Sequence, residues 1–176
     1  FNIPVDELSA LPLLSKYFLD KQLSDAVVVA VDIGISKRAR DMAERIGASL
    51  AIVEKRRVGN VEQTESLNVI GDVSGKVAIT FDDETDTGGS LASAVNALRN
   101  SGAREVFSCC THGVFSGSGA QRVVETGVRE FIVTDTLPQN GAASYPSFKV
   151  LSVASLLGEA IRRIHSGLSV GEMFKT

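Results

Sequence analysis

Hydrophobic and polar positions along this chain fall into blocks, and each block predicts one element of secondary structure. Unbroken apolar runs, such as residues 26–31, predict strands that are buried on both faces of a parallel sheet. Apolar residues at helical spacing predict helices between these runs, and residues 152–167 have the clearest apolar face. The alternation of strands with helices predicts a three-layer α/β domain.

The same patterns predict the other elements. Further strands are expected at residues 49–53, 67–70, 77–81, 105–111, 131–134 and 148–150. Further helices are expected from Leu11, from Ser36 (as its cap) to Gly47, from Ser90 to Gly102, and at residues 121–125. Residues 54–63 are polar and basic without periodicity, which predicts a mobile loop or projecting flap.

Composition narrows the class of protein. The 176 residues are 44% hydrophobic and 22% charged, which is typical of one globular domain with a sizeable core. A net charge of -3 argues against general nucleic-acid binding, and no apolar run approaches the length of a membrane span. The adjacent Cys109 and Cys110 lie in a predicted strand and point to opposite faces, so we expect buried, reduced thiols in a cytoplasmic protein.

The stretch with the most chemistry is residues 77–91, which reads VAITFDDETDTGGSL. It predicts a strand, an acidic and glycine-rich loop, and a helix N-terminus whose free N–H groups suit a phosphate. The carboxylates precede this cradle and could accept hydrogen bonds from hydroxyls of the same ligand, or hold a divalent cation through waters. The candidate ligand-binding residues are Asp82, Asp83, Asp86, Thr87, Gly88, Gly89 and Ser90.

Simpler interpretations of these segments stay open at this point. The acidic loop could be a plain turn with Ser90 as an N-cap, although the G-x-x-x-x-G-K-[ST] pattern of a nucleotide loop is absent. Asp32 and Gly34 follow a predicted strand, where open α/β sheets bind ligands, but a solvated turn has the same pattern. The basic residues at 55–57 could close over a polyphosphate or could belong to an ordinary solvent-exposed loop.

Several motifs in order resemble one family. The acidic loop DDETDTGGS resembles the sugar-phosphate loop of type I phosphoribosyltransferase folds, and its DDxxDT form is more particular to ribose-phosphate pyrophosphokinases. The runs DIGISKRAR, THGVFSG and VTDTLPQ and the tail IRRIHSG occur with the matching order and spacing. Nearly the whole chain therefore resembles the C-terminal half of that family.

The resemblance implies a fold and an activity. The fold would be phosphoribosyltransferase-like (Rossmann-like), with a mostly parallel sheet and one short antiparallel strand at residues 67–70. The family transfers the diphosphoryl group of ATP to ribose 5-phosphate, giving PRPP and AMP, with Mg²⁺. The acidic loop would bind ribose 5-phosphate, Asp32 and Gly34 the diphosphate, Asp32 the metal, and Lys55 and Arg57 would be catalytic cations. His112 and residues 116–118 match a segment near subunit contacts and a regulatory phosphate site.

The resemblance also implies a domain organisation. Residues 1–176 would form one phosphoribosyltransferase-like domain of a longer two-domain protein, and residues 152–176 would pack on the missing N-terminal half. Such a piece would be nearly inactive alone, while the full-length family member would be a homo-oligomer that binds neither nucleic acid nor membranes. Ile35 stands where the family has a glycine, which leaves a non-catalytic regulatory homologue as one alternative. A nucleobase phosphoribosyltransferase is the other.

Overall fold

A computed structural model describes residues 1–57, 65–139 and 141–174 of the chain. The strands are β1 Ala26–Ala30, β2 Ser49–Arg57, β3 Glu65–Ile70, β4 Val77–Thr85, β5 Glu105–Gly113, β6 Phe131–Thr134 and β7 Phe148–Leu151. The helices are α1 Leu11–Lys21, α2 Ser36–Ile46, α3 Gly89–Asn100, α4 Gly119–Glu125 and α5 Ala154–His165. Two short 3₁₀ helices lie at Ala142–Ser144 and Val170–Phe174.

The strands form one sheet with the order β3-β2-β1-β4-β5-β6-β7. Neighbouring strands are parallel, except that β3 runs antiparallel to β2. This confirms the predicted α/β class, with a mostly parallel sheet and one antiparallel strand at the expected position. The inner strand β1 has an entirely apolar sequence, and four of its five residues are buried, as its unbroken pattern predicted.

The side on which the next strand joins the sheet changes between the parallel strands β1 and β4. The connection from β1 through α2 leads to β2 on one side, whereas the connection from β4 through α3 leads to β5 on the other. Because such crossovers are right-handed, they place α2 and α3 on opposite faces of the sheet. A crevice opens outside the carboxyl ends of β1 and β4 at this switch point, which is where open α/β sheets bind ligands.

The strands β2 and β4 continue furthest beyond their predicted ends. β2 continues through Arg57, although residues 54–57 were assigned to a loop, because their backbone pairs with the antiparallel β3. β4 continues through Thr85, because its acidic residues pair along β5. In both places the polar residues have no hydrophobic pattern that predicts a strand. The strands form nevertheless, because the hydrogen bonds between strands join backbone groups and do not require apolar side chains. The rest of the predicted flap, residues 58–64, lies outside the described residues.

The predicted cap of α2 was wrong. Ser36 is the first residue of the helix, and its N-cap is Ile35, which has no side-chain cap. The Asp32 carboxylate instead accepts a hydrogen bond from the Ile35 N–H at 3.1 Å, so an acidic side chain from the preceding turn meets the start of the helix. Asp32 therefore has a structural contact in addition to any role toward a ligand.

Cys109 and Cys110 are both free and buried in β5, which confirms the predicted thiols. Burial raises the pKa of the Cys110 thiol to about 12, so this side chain stays protonated and acts as a small core residue. Across the described parts of the chain, no helix has both the length and the apolar character needed to cross a bilayer.

Candidate functional site

The crevice at the switch point contains a cavity of about 240 Å³. It is lined by Asp32, which follows β1, and by the continuous stretch of residues 82–91, which includes the end of β4 and the start of α3. The structure thus brings together the acidic pair, the glycine turn and Asp32, which the sequence had placed in separate motifs. Gly34 is exposed beside Asp32 but is not part of the cavity lining.

The acidic pair lies on the last residues of β4. One oxygen of Asp82 accepts a hydrogen bond from the Asp83 N–H at 2.9 Å, and one oxygen of Asp83 accepts from the Glu84 N–H at 3.0 Å. These local contacts fix the orientation of each carboxylate. They also leave the second oxygen of each group able to accept a hydrogen bond from a ligand hydroxyl.

Negative charge accumulates in this cavity. Burial, reinforced by the neighbouring Asp83 and Asp32 carboxylates, raises the pKa of Asp82 to about 7, despite the hydrogen bond from the Asp83 backbone. A carboxylate whose pKa is raised to near 7 is typical of a binding site. Its ligand then donates a hydrogen bond to the carboxylate or supplies positive charge beside it.

The start of α3 forms the opposite side of the cavity. Its N-cap residue Gly88 has a left-handed conformation, with φ of 74°, which favours glycine. No side chain in the described part of the chain caps this helix, and its first turn contains no acidic residue. The N–H groups of the first turn therefore lack helical partners and can donate to an anion, which the helix dipole also favours. Ser90 lies inside the first turn, so it is not the N-cap.

The loop between β4 and α3 is held from the side by the segment that follows β5. The Asp86 carboxylate accepts a hydrogen bond from the Ser116 N–H at 3.3 Å, and the Thr85 carbonyl accepts one from the Phe115 N–H at 3.2 Å. The Phe115 ring packs against Phe131 and anchors this segment in the core. Asp86 thus contributes to the shape of the loop, a role that no local sequence pattern indicated because its partner is 30 residues away.

Ile35 does not enter the cavity. Its side chain is 6% exposed and belongs to the hydrophobic core, and its backbone has an ordinary right-handed helical conformation. The turn therefore accommodates a large residue at this position by directing its side chain inward.

The two predicted catalytic cations lie on the antiparallel ribbon. The backbones of Lys55 and Arg57 pair with β3 beyond the point at which β2 leaves β1, so the ribbon extends past the carboxyl edge of the sheet. This is the edge that carries the cavity. The side chains of both residues lie outside the described part of the structure.

His112 lies near the cavity but does not line it. Its Nδ1 atom is 2.9 Å from the Thr136 hydroxyl, which ties the ends of β5 and β6 together. His112 borders a neighbouring cavity of about 220 Å³ whose lining also includes Arg38 and Asp83. Arg38 and Asp83 form a loose ion pair at 3.8 Å, so a cation from α2 comes close to the acidic pair.

The fold and the site together define a phosphoribosyltransferase-like α/β domain. The chain belongs to the family described as phosphoribosyl synthetase-associated domain, whose profile matches residues 57–175. It is 49% identical over 175 residues to a ribose-phosphate pyrophosphokinase of Caldanaerobacter subterraneus subsp. tengcongensis. That match covers 99% of this chain and 55% of the relative, so the chain spans about half the length of the curated relatives it matches.

Solved structures show the same similarity. The phosphoribosylpyrophosphate synthetase of Mycobacterium smegmatis matches with a TM-score of 0.85 and 41% identity, over 95% of this chain and 54% of that one. An APRTase from Giardia lamblia matches with a TM-score of 0.55 and 17% identity, over 69% of this chain and 77% of that one. The second likeness shows the fold alone, and the first agrees with the family assignment.

Proposed function

We propose that this chain is the ribose-5-phosphate-binding part of a ribose-phosphate diphosphokinase, an enzyme that converts ATP and ribose 5-phosphate to PRPP and AMP. The observation that carries the proposal is that one cavity is lined both by the Asp82–Asp83 pair and by the uncapped start of α3. A sugar phosphate matches both sides, because its hydroxyls are donors for carboxylates and its phosphate is an acceptor for helical N–H groups.

Each site residue has a role in this proposal. Asp82 and Asp83 accept hydrogen bonds from the ribose hydroxyls, and Asp86 shapes the loop through Ser116. The phosphate binds at the turn formed by Thr87, Gly88, Gly89 and Ser90. Asp32 and Gly34 face the diphosphate, and Lys55 and Arg57 supply positive charge to the group in transfer, as phosphoryl chemistry requires.

We propose Mg²⁺ as the cofactor of this site. No group of three or more candidate ligands converges among the residues that the structure describes. Mg²⁺ nevertheless suits the site, because it commonly takes one or two carboxylates and completes its shell with waters and substrate phosphates. Asp32 is exposed at the cavity and retains one oxygen that the Ile35 N–H does not use. The metal would supply charge neutralisation at the phosphates, and Asp32 would orient it.

Ile35 gives no support to the regulatory alternative, since its side chain is in the core and leaves the cavity open. A glycine is therefore not needed there to keep space for a ligand. A nucleobase phosphoribosyltransferase would instead turn over a base with PRPP, and absence of such turnover would eliminate it.

Isothermal calorimetry tests the proposal. We expect the chain to bind ribose 5-phosphate at millimolar concentration or below, and ribose without the phosphate much more weakly.

Asp83→Asn should weaken ribose-5-phosphate binding by about tenfold, because a charge-assisted hydrogen bond becomes a neutral one. Release of AMP from ATP by this chain alone should be close to zero. No heat of binding at millimolar ribose 5-phosphate would show that the site is assigned wrongly.

The domain organisation remains part of the proposal. α5 is amphipathic, yet Ala160 is the only one of its residues, all of which are described, that is buried. Leu157, Ile161 and Ile164 are 48%, 68% and 60% exposed. We propose that this apolar face packs against a further segment of a longer protein, since the curated relatives extend beyond the matched region. In that form the protein would be a cytoplasmic homo-oligomer that also binds ATP and PRPP.

A pair of neighbouring substitutions tests whether this face is free. We expect Ile161→Glu to change the free energy of unfolding by less than about 0.5 kcal/mol, because the side chain is at the surface. Ala160→Glu should destabilise the chain by about 2 kcal/mol or more, because Ala160 is 5% exposed and would bury a charge. Light scattering should show less self-association for Ile161→Glu than for the native chain. Equal destabilisation by both substitutions would mean that the face is covered within this chain.

A further inference from the structure

Arg122 reaches the proposed phosphate turn from outside the cavity. It lies on α4, and its side chain is exposed. One guanidinium nitrogen, Nη1, donates a hydrogen bond to the Thr87 carbonyl at 3.0 Å. This contact joins α4 to the turn immediately before α3, although the two residues are 35 positions apart.

The same nitrogen lies close to the first residue of α3. A Cβ atom placed on Gly89 would be 3.8 Å from Arg122 Nη1, so the guanidinium is beside the free N–H groups of the helix start. Among the side chains that the structure describes, no carboxylate lies at ion-pairing distance from Arg122. Its charge therefore adds directly to the positive end of the α3 dipole.

We propose that Arg122 is a positioning residue for the phosphate, an inference that rests on the proposed ribose-5-phosphate site. It acts in two ways. Its hydrogen bond holds the Thr87 carbonyl away from the cavity side of the turn, so that the following N–H groups stay directed at the ligand. Its charge also makes the turn prefer the dianion of a phosphate monoester over the monoanion.

Arg99 supplies a matched control. It too is exposed, and its Nη2 donates to the Gly127 carbonyl at 2.7 Å, but it lies at the other end of α3. Arg122→Gln and Arg99→Gln each remove one arginine–carbonyl contact and one charge, whereas Arg122→Lys retains the charge. We expect Arg122→Gln to weaken ribose-5-phosphate binding about five- to tenfold. Arg99→Gln should leave the affinity within about twofold of the native value, and Arg122→Lys should recover part of the loss.

The pH profile separates a charge effect from general loosening of the fold. The second pKa of a phosphate monoester is about 6, so ribose 5-phosphate is mainly monoanionic at about pH 5 and mainly dianionic at about pH 7.5. The defect of Arg122→Gln should be largest at the higher pH and fall to about threefold or less at the lower one. Asp82 titrates in this range in both proteins, so comparison of variant with native chain at each pH removes its contribution.

The outcomes are distinct. If the native chain does not bind ribose 5-phosphate, the proposed function fails and the role of Arg122 fails with it. If the native chain binds and Arg122→Gln binds equally well, only the role of Arg122 is overturned. A loss that is the same at both pH values, or that Arg99→Gln reproduces, also overturns it. A pH-dependent loss that is specific to Arg122 supports it.

Discussion

Gly119→Ala should destabilise the chain by about 1–3 kcal/mol and weaken ribose-5-phosphate binding by more than about tenfold. Gly119 is the first residue of α4 and is buried against the loop between β4 and α3. A Cβ atom there would collide with the Asp86 carbonyl oxygen. Because the obstacle is backbone, the loop or the helix must move, and the phosphate turn moves with it. Urea denaturation and calorimetry measure the two effects.

Gly158→Ala provides the control. Gly158 lies inside α5, and a Cβ atom there would meet nothing within 4 Å. The same chemical change should therefore stabilise the chain by about 0.5–1 kcal/mol, since alanine favours a helix more than glycine does, and should leave binding unchanged. If Gly119→Ala had native stability and native affinity, α4 would not be a rigid support for the loop.

Local patterns were enough to predict most of the strands and helices and the α/β class, because these elements have strong periodicity. The order of the strands in the sheet has no such local signal and was not predicted. The apolar run of β1 and the amphipathic spacing of α5 each report burial directly. The antiparallel β3 came instead from the family resemblance, since a short strand has no local signal for its direction. The ends of β2 and β4 were missed because both continue through charged residues, where pairing of backbone groups determined the structure.

The candidate site divides in the same way. The acidic pair and the glycine turn could be recognised in sequence, because they lie within ten residues of each other. The residues that support the glycine turn from other segments could not be recognised in the sequence. Ser116 and Arg122 contact this turn from 30 and 35 positions away, and although Ser116 lies in the THGVFSG motif, no local pattern indicated either contact. Ile35 shows the converse, since a departure from the family pattern turned out to be a core side chain.

The raised pKa of Asp82 makes the stability of the folded chain depend on pH. In the folded chain this pKa is raised from its ordinary value of 3.8 to about 7, first by burial and then by Asp83 and Asp32. At a pH between these two pKa values, Asp82 therefore holds a proton in the folded chain that it has released in the unfolded chain. Stability accordingly falls as the pH rises from about 4 to about 7, and the whole loss is present above that range.

Asp82→Asn should therefore be more stable than the native chain at about pH 8, by about 1–2 kcal/mol once partial exposure of the carboxylate is allowed for. Near pH 4 the two should be about equal, because the native side chain is then neutral as well. The amide oxygen can still accept the hydrogen bond from the Asp83 N–H. Urea denaturation across this pH range measures the difference.

The same substitution should weaken ribose-5-phosphate binding about tenfold at about pH 8, since the ligand loses an ionised acceptor. Asp20→Asn is the control, because Asp20 is exposed in a helix surface pair with Lys16 and should change neither quantity appreciably. Parallel pH profiles for Asp82→Asn and the native chain would contradict the raised pKa. A more stable variant that binds less tightly would instead show that the carboxylate is retained for the ligand, at the expense of the fold.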